Sequence, residues 1–264
     1  MNTASLPRPT EPLPMFYADT LDLLDSSGIP FLIGGAFAQS RFTRRYRQTK
    51  DLDIIIKRSD IAATMTLFDR AGYRTELPFP HWLAKIHRDD FVLDIVYGSG
   101  NGVLEVDDDW FRYAVDGDVL GRSVKLCPVE ELLWSKAFIQ ERERFDGGDV
   151  MHLLHARAES LDWDRLLTRF GEHWPVLLGH IVLFFFIYPD RRGTIPPAVV
   201  GDLIERFQKL ETEPSNQLCM GPLLSRKQYL FDLTRLGYVD GRLDPHGGMT
   251  PDEIDIWTRA IDRE

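Results

Sequence analysis

FLIGGAFAQSRFTRRYRQTKDLDIII, residues 31–56, is the stretch of sequence that decides how the rest of the chain is interpreted. It begins as an apolar strand that ends at Gly34-Gly35, and it closes on Asp51-Leu52-Asp53 before an isoleucine run. Side chains alternate between the two faces of a strand, so Asp51 and Asp53 share one face, about 6.6 Å apart. Two such carboxylates repel each other, and a cation such as Mg²⁺ would relieve that repulsion. A surface turn whose acids cap a strand is the alternative.

The glycine pair and the basic residues after it predict an anionic ligand. Glycines between a strand and a helix let the backbone approach a phosphate, and the helix that we predict from Ala36 would point its free N–H groups there. The segment between the glycines and the aspartates carries five basic residues and no acid: Arg41, Arg44, Arg45, Arg47 and Lys50. In a chain with 31 basic and 41 acidic residues, this is a local reversal of sign. A tight turn without a ligand would explain the glycines alone.

A third carboxylate, Asp94, lies within the apolar strand Phe91–Tyr97. An ionised acid among apolar neighbours is unfavourable unless it is paired or binds a metal, although an edge strand that faces water would also accept it. The preceding strand and the turn Arg88-Asp89-Asp90 predict a hairpin. We expect antiparallel pairing to bring Asp94 beside Asp51 and Asp53.

The sequence resembles the signature of the nucleotidyltransferase superfamily of the DNA polymerase beta type. The resemblance rests on the glycine pair, the Asp51-Leu52-Asp53 motif (the DxD pair) and the third aspartate, Asp94. That superfamily includes CCA-adding enzymes, antibiotic-modifying nucleotidyltransferases and the minimal nucleotidyltransferases of bacterial toxin–antitoxin modules. The long spacing between Gly35 and Asp51, with Arg47-Gln48-Thr49-Lys50 before the aspartates, looks more like the antibiotic-modifying branch. The resemblance covers residues 28–97 well, 128–155 weakly and the remainder hardly at all.

The resemblance implies an enzyme that transfers a nucleoside monophosphate from an NTP, such as ATP, to a hydroxyl group and releases pyrophosphate. It implies that Asp51, Asp53 and Asp94 are catalytic and hold two Mg²⁺ ions, or Mn²⁺ in their place. The nucleotide-binding residues that it implies are Gly34, Gly35, Arg47, Lys50 and Lys136. Asp149 lies in an acid-containing turn of the kind that relatives carry, but a solvated lysine and a helix-capping aspartate explain Lys136 and Asp149 equally well.

The acceptor stays open among a small hydroxylated molecule, a tRNA and a partner protein. A catalytically idle nucleotide-binding regulatory protein is a further alternative, which the presence of three costly carboxylates disfavours. The net charge of −10 argues against a broad nucleic-acid surface.

The composition predicts a globular protein, with 44% hydrophobic and 27% charged residues. Cys127 and Cys219 are far apart, so we expect no disulfide framework and no zinc site, which suits a reducing cytoplasm. The longest apolar run, Val176–Tyr188, is shorter than the ~20 residues of a membrane span. We therefore expect a buried helix there and no membrane partner.

The pattern of elements predicts an α/β (α+β) fold, a small mixed sheet flanked by helices and followed by a helical domain. We expect a flexible arm at 1–14, a nucleotidyltransferase-like domain at 15–126 and a helical domain at 127–264. Pro128 and the acids after it open a helix that we expect to reach Arg144, and Asp149 caps the next one. Thr250-Pro251-Asp252-Glu253 predicts a capping box at the last helix.

Overall fold

The computed structural model of the chain describes residues 12–46, 51–210 and 217–263. The helices of the described residues are α1 (Pro12–Ser27), α2 (Gly35–Thr43), α3 (Ile61–Arg70), α4 (Asp108–Arg112), α5 (Val129–Ala137), α6 (Gly147–Arg157), α7 (Trp163–Phe170), α8 (Trp174–Ile187), α9 (Pro197–Gln208), α10 (Leu230–Arg235) and α11 (Pro251–Arg259). The strands are β1 (Leu32–Ile33), β2 (Leu52–Ile55), β3 (Arg74–Phe79), β4 (Leu83–Arg88), β5 (Phe91–Val96), β6 (Val115–Val119), β7 (Arg122–Leu126), β8 (Leu218–Cys219) and β9 (Val239–Asp240).

Seven strands form one mixed sheet in the order β3-β4-β5-β2-β1-β7-β6, which confirms the predicted fold class. The β4–β5 hairpin is antiparallel as predicted, but β5 joins β2 in parallel, so the expected antiparallel approach of Asp94 to the DxD pair is wrong. The reason is the connection: α3, β3 and β4 lie between β2 and β5 in the chain. A crossover of that length can return the chain to the sheet in the same direction.

The two faces of the sheet belong to two separate apolar clusters. Leu52 and Ile54 of β2 point into a cluster that includes Phe16 of α1 and Phe68 of α3. Ile55 points to the opposite face, where its cluster includes Phe42 of α2 and many residues of α5 to α9. Because neighbouring strand residues face opposite sides, the polar residue Asp53 lies on the same face as Ile55. The side chain of Asp53 is therefore directed toward the helices α5 to α9.

The helix predicted from Pro128 to Arg144 ends earlier, since α5 stops at Ala137 and a short antiparallel bridge follows between Gln140 and Phe145. The N-cap position of α6 is held by Asp146 and not by Asp149, which lies inside the first turn of that helix. The prediction of an Asp149 cap is therefore wrong. Both acids instead bind Lys136, as described below.

Helix α8 is buried on one side only. Leu177 and Ile181 are completely buried, whereas Phe186 on the outer side is 81% exposed. The prediction of a buried helix is therefore correct for one side of α8 only. Within the described residues, the helical run Trp163–Ile187 is long and apolar enough to cross a membrane by length and composition, a test that core helices also pass. The absence of a membrane partner stays a prediction.

The end of the chain returns to the sheet. Helix α11 begins with the predicted capping box, in which Thr250 and Glu253 bind each other's backbone N–H groups. Its Trp257 packs edge-on against Phe79, with ring centroids 4.6 Å apart, and lies 5.4 Å from the ring of Trp82. These contacts join the last helix to the β3–β4 hairpin. The domain boundaries that we predict from the sequence stay a prediction.

Candidate active site

Three charged side chains stand in one row across neighbouring strands. Asp53 of β2 is the direct partner of Asp94 on β5, and Asp94 is the direct partner of Lys85 on β4. Residues opposite each other in adjacent strands direct their side chains to the same face of the sheet. The Lys85 Nζ donates to Asp94 Oδ1 at 2.7 Å. The sheet thus assembles the acids from segments that are about forty residues apart in sequence.

The glycine turn fits around the carboxylate of Asp53. The Gly34 N–H donates to the Asp53 carbonyl oxygen at 2.9 Å, which holds the turn against β2. Gly35 begins α2 with a φ of +52°, and a Cβ placed there would lie 1.6 Å from Asp53 Oδ2. Only glycine meets both conditions, because it tolerates a positive φ and has no side chain. The free N–H groups of the first turn of α2 therefore lie beside Asp53.

Burial is the main influence on the ionisation of the carboxylates, and their charges act in addition to it. Burial raises the pKa of Asp53 to about 6, with further contributions from the charges of Asp94 and Asp51, while Lys136 acts in the opposite direction. Burial also raises the pKa of Asp94, although the ammonium of Lys85 offsets part of that shift. Burial and then the charges of the three aspartates raise the pKa of Tyr17 on α1. Tyr17 is therefore a buried, protonated hydroxyl close to the acids.

Lys136 of α5 is buried and forms two ion pairs with α6. Its Nζ lies 3.1 Å from Asp146 Oδ2 and 2.7 Å from Asp149 Oδ2. Burial would raise the pKa of Asp146, but the charges of Lys136 and Arg144 outweigh it and hold that pKa below its usual value. Lys136 is near enough to lower the pKa of Asp53 as well. Lys136 therefore lies between the acids of the central strands and the first turn of α6.

A cavity of about 410 Å³ opens between α2 and α6, beside the first turn of α2. Its lining includes Ala36, which follows the glycine pair, and Asp146 and Asp149, which bind Lys136. The Gln39 Nε2 donates to the Asp149 carbonyl oxygen at 2.9 Å and so fixes the two helices across the floor of the cavity. The cavity has the volume of a small-molecule site.

The fold brings some of the predicted site residues together. Asp53, Asp94, Gly34 and Gly35 lie side by side, and Asp51 is an exposed residue just before β2 whose charge acts on Asp53. Arg47 and Lys50 fall outside the described residues, so their predicted role as nucleotide-binding residues stays a prediction.

Three neighbours of the acids were missed from the sequence, namely Lys85, Tyr17 and Arg144. Lys85 could have been found, since the two-residue turn Asp89-Asp90 sets the register that places Lys85 opposite Asp94. Tyr17 and Arg144 approach the site through tertiary packing, and no spacing in the sequence signals them.

The acids suit a hard divalent cation in donor type and in charge. Carboxylate oxygens are the ligands that Mg²⁺ and Mn²⁺ prefer, and a cation would relieve the repulsion that contributes to the raised pKa of Asp53. Across residues 12–46, 51–210 and 217–263, however, no group of three or more His, Cys, Asp and Glu side chains is arranged to hold a metal ion. In this arrangement Asp94 is turned to Lys85.

No protein-family model and no curated protein sequence matches the chain. Several solved structures are similar to it. The solution structure of the antibiotic-resistance factor ANT(2'')-Ia matches with 17% identity and a TM-score of 0.45, over 63% of this chain and 95% of that one. The lincosamide antibiotic adenylyltransferase LnuA with lincomycin bound matches with 15% identity and a TM-score of 0.40, over 56% and 98%. A nucleotidyltransferase-like protein from Paracoccidioides brasiliensis matches with 18% identity and a TM-score of 0.38, over 66% and 94%.

These similar structures are nucleotidyltransferases or are named nucleotidyltransferase-like, the superfamily that the sequence motif resembles. At this level of identity and superposition they define neither a substrate nor a reaction for this chain. Its function has to be judged on its own residues.

Proposed function

We propose that this chain is a Mg²⁺-dependent nucleotidyltransferase that moves a nucleoside monophosphate from an NTP to a hydroxyl group of a small molecule. The observation that carries the proposal is the position of Asp53, directly opposite Asp94 and in contact with the turn that begins α2. Acids and free helix N–H groups are what a metal-bound triphosphate requires. Two facing carboxylates whose pKa values are both raised are typical of a catalytic site and are not expected in a protein without catalytic activity.

In the reaction, the acceptor oxygen forms a bond to the α-phosphorus, and the bond from that phosphorus to the bridging oxygen breaks, so that pyrophosphate leaves. Asp94 would accept the hydroxyl proton on Oδ2, because its Oδ1 is bound by Lys85. The N–H groups of Gly35 and Ala36 would bind phosphate oxygens. Asp51 and Asp53 would hold the divalent cation, which when bound supplies positive charge to the triphosphate.

The cavity between α2 and α6 favours a small acceptor or a nucleoside over a macromolecule. Its volume of about 410 Å³ falls in the range of pockets for small ligands. Its lining combines aromatic side chains, Tyr46 and Phe145, with the polar side chains of Ser40 and Thr43. Such a mixture suits a ring that carries hydroxyl groups.

The test is transfer of label from each of the four α-³²P-labelled NTPs, with Mg²⁺, to a panel of hydroxylated small molecules that includes lincomycin and tobramycin. We expect one acceptor class to become labelled. Asp94→Ala should reduce turnover by orders of magnitude while NTP affinity changes little, because the proton acceptor is lost but the triphosphate site is retained. Asp90→Ala, at an exposed position in the same hairpin, is the matched control and should retain activity. A wild-type protein that binds NTP but labels nothing, in the panel or in a cell extract, would instead be a nucleotide-binding regulatory protein.

A further inference from the structure

Arg144, in the connection between α5 and α6, has a guanidinium that is held along one edge and open along the other. Its Nε and Nη2 donate to the two carboxylate oxygens of Asp146, each at 3.2 Å. Asp146 is 8% exposed, whereas the Arg144 side chain is 67% exposed. The Nη1 group carries two N–H donors and has no hydrogen-bond partner within the part of the chain that the structure describes. Arg144 can therefore offer this open edge to a ligand.

The connection that carries Arg144 is itself held in place. Gln140 and Phe145, on either side of Arg144, form an antiparallel bridge. The buried Lys136 lies 3.1 Å from Asp146 Oδ2, the same oxygen that accepts from Arg144 Nη2. The carboxylate that orients Arg144 is thus anchored by a buried cation, and its charge-assisted bonds to the guanidinium fix the direction of the open edge.

Arg144 and Asp94 lie on opposite sides of Asp53. Asp146, the partner of Arg144, lines the cavity between α2 and α6 together with Ala36, which follows the glycine turn. In the sheet, β1 lies on one side of β2 and β5 on the other, and α2 directly follows β1. Burial would lower the pKa of Arg144, but the hydrogen bond and charge of Asp146, and then the charge of Asp53, raise it. The guanidinium is therefore a neighbour of Asp53 on the side of α2, away from Asp94.

We propose that Arg144 binds the β- and γ-phosphates of the NTP and stabilises the pyrophosphate that leaves. This inference rests on the proposed nucleotidyltransferase function and gives that function a residue for its leaving group. The acceptor oxygen bonds to the α-phosphorus as the bond to the bridging oxygen breaks, and the electron pair of that bond stays on pyrophosphate. The attacking and leaving oxygens lie roughly in line. Because attack comes from the side of Asp94, pyrophosphate leaves toward Arg144, whose Nη1 N–H groups donate to it as its charge develops.

Ligand binding tests the proposal without any turnover. The full-length protein with Mg²⁺ is titrated in a calorimeter with three probes: inorganic pyrophosphate, the α,β-methylene analogue of ATP or of whichever NTP binds, and the NMP of the same base. We expect Arg144→Gln to bind pyrophosphate and the triphosphate analogue roughly tenfold more weakly or worse, because charge-assisted hydrogen bonds to phosphate are lost. Its affinity for the NMP should equal that of wild type, since the NMP lacks the β- and γ-phosphates.

Two further variants separate phosphate binding from a structural role. Arg144→Lys keeps the positive charge but loses the planar fork, so it should recover part of the affinity for pyrophosphate. Arg142→Gln is the matched control, because Arg142 is an exposed residue of the same connection, and it should bind all three probes as wild type does. If Arg144 only compensated the charge of Asp146, Arg144→Gln would change the affinities for the NMP and for the triphosphate analogue by the same factor, or would change neither.

Equal changes for all probes, or no change, in a folded Arg144→Gln variant would overturn the proposal. If that variant does not fold, an arginine-directed dicarbonyl reagent on wild-type protein decides the matter. Pyrophosphate should then protect Arg144 from modification, measured by peptide mass spectrometry, and the NMP should not; equal modification with both would overturn the proposal. Wild-type protein that binds neither pyrophosphate nor any triphosphate analogue would refute the proposed function itself. That result differs from an Arg144→Gln variant with wild-type affinities, which leaves the nucleotidyltransferase in place.

Discussion

Gly35 and Asp53 form a matched pair at the scale of single residues. The carboxylate of Asp53 occupies the space that any Cβ at position 35 would need, and the positive φ of Gly35 already excludes most side chains. The glycine therefore leaves the space that the carboxylate occupies, and the binding of a ligand by this turn stays a prediction. A structural role alone would not require the carboxylate to lie there.

Gly35→Ala should damage the site more than the fold. The positive φ costs about 1 kcal/mol for alanine, and Asp53 must move because the new Cβ overlaps its Oδ2. We expect a folded protein whose nucleotide affinity falls by roughly tenfold or more, measured by equilibrium binding. Gly201→Ala is the control: it lies in α9 with open space around it, and it should be neutral or stabilise by up to about 1 kcal/mol. Unchanged affinity in Gly35→Ala would show that the turn has no part in binding.

The raised pKa of Asp53 predicts how stability depends on pH. Its folded-state pKa of about 6 lies above the ordinary value of 3.8, so the folded state holds more protons than the unfolded state between these values. Stability therefore falls as the pH rises through this window. Asp53→Asn should be more stable than wild type at pH 7.5, by on the order of 1–3 kcal/mol, and this advantage should shrink as the pH falls from about 6 toward 3.8. Urea unfolding of both proteins across the pH range measures it, and a constant difference would contradict the expectation.

Helix α5 shows how one element can have a role that its sequence does not reveal. Glu130 and Glu131 suit the first turn of a helix, yet both are buried, at 4% and 0% exposure. Arg165 of α7 binds both acids, with its Nη1 2.6 Å from Glu131 Oε1, and Arg169 binds Glu131 as well. Packing of α7 on α5 therefore depends on charge compensation inside the helical half.

Arg165→Met should destabilise the protein by about 3–5 kcal/mol, because it leaves two buried carboxylates with insufficient positive charge. Arg206→Met is the matched control. Arg206 forms a surface pair with Asp202 one turn away in α9, at 2.8 Å, and its loss should cost less than about 1 kcal/mol. Chemical denaturation of the two variants gives the comparison. Equal effects would mean that the buried cluster contributes no more than a surface pair.

At the scale of the whole molecule, the last helix packs against the β3–β4 hairpin of the sheet. Trp257 packs among Phe79, His81 and Trp82 at the turn of the β3–β4 hairpin, and Arg226 lies over its ring at 4.1 Å. In β4 and β5 this is the end where Leu83 pairs with Val96, beyond the row of Lys85 and Asp94. The contact is thus separate from the candidate site.

Trp257→Ala should therefore reduce stability and spare the site. We expect a loss of about 2–4 kcal/mol, since a partly buried indole and its ring contacts are removed. Nucleotide affinity of the folded protein should stay unchanged. Phe231→Ala, at a position 63% exposed in α10, should change stability by less than about 0.5 kcal/mol. If the two variants were equally stable, the last helix would contribute little to the fold.

Local chemistry in the sequence determined the parts of this protein that depend on a few neighbouring residues. The glycine turn, the β4–β5 hairpin and the Thr250 capping box all follow from such patterns. The mixed sheet with flanking helices follows from the order of these elements. The nucleotidyltransferase resemblance also comes from the sequence alone, because it rests on the order of the glycine pair, the DxD pair and Asp94 along the chain.

Only the tertiary structure decided how these parts meet. The parallel pairing of β5 with β2, the burial of Glu131 and the capture of Lys136 by Asp146 and Asp149 depend on elements that are distant in sequence. The pairing of Lys85 with Asp94 is intermediate, since a hairpin register predicts it but only the packed sheet limits its access to water. The physical reason is common to all four. Long-range pairing and burial depend on which distant elements pack against a residue, and the sequence around that residue does not specify those elements.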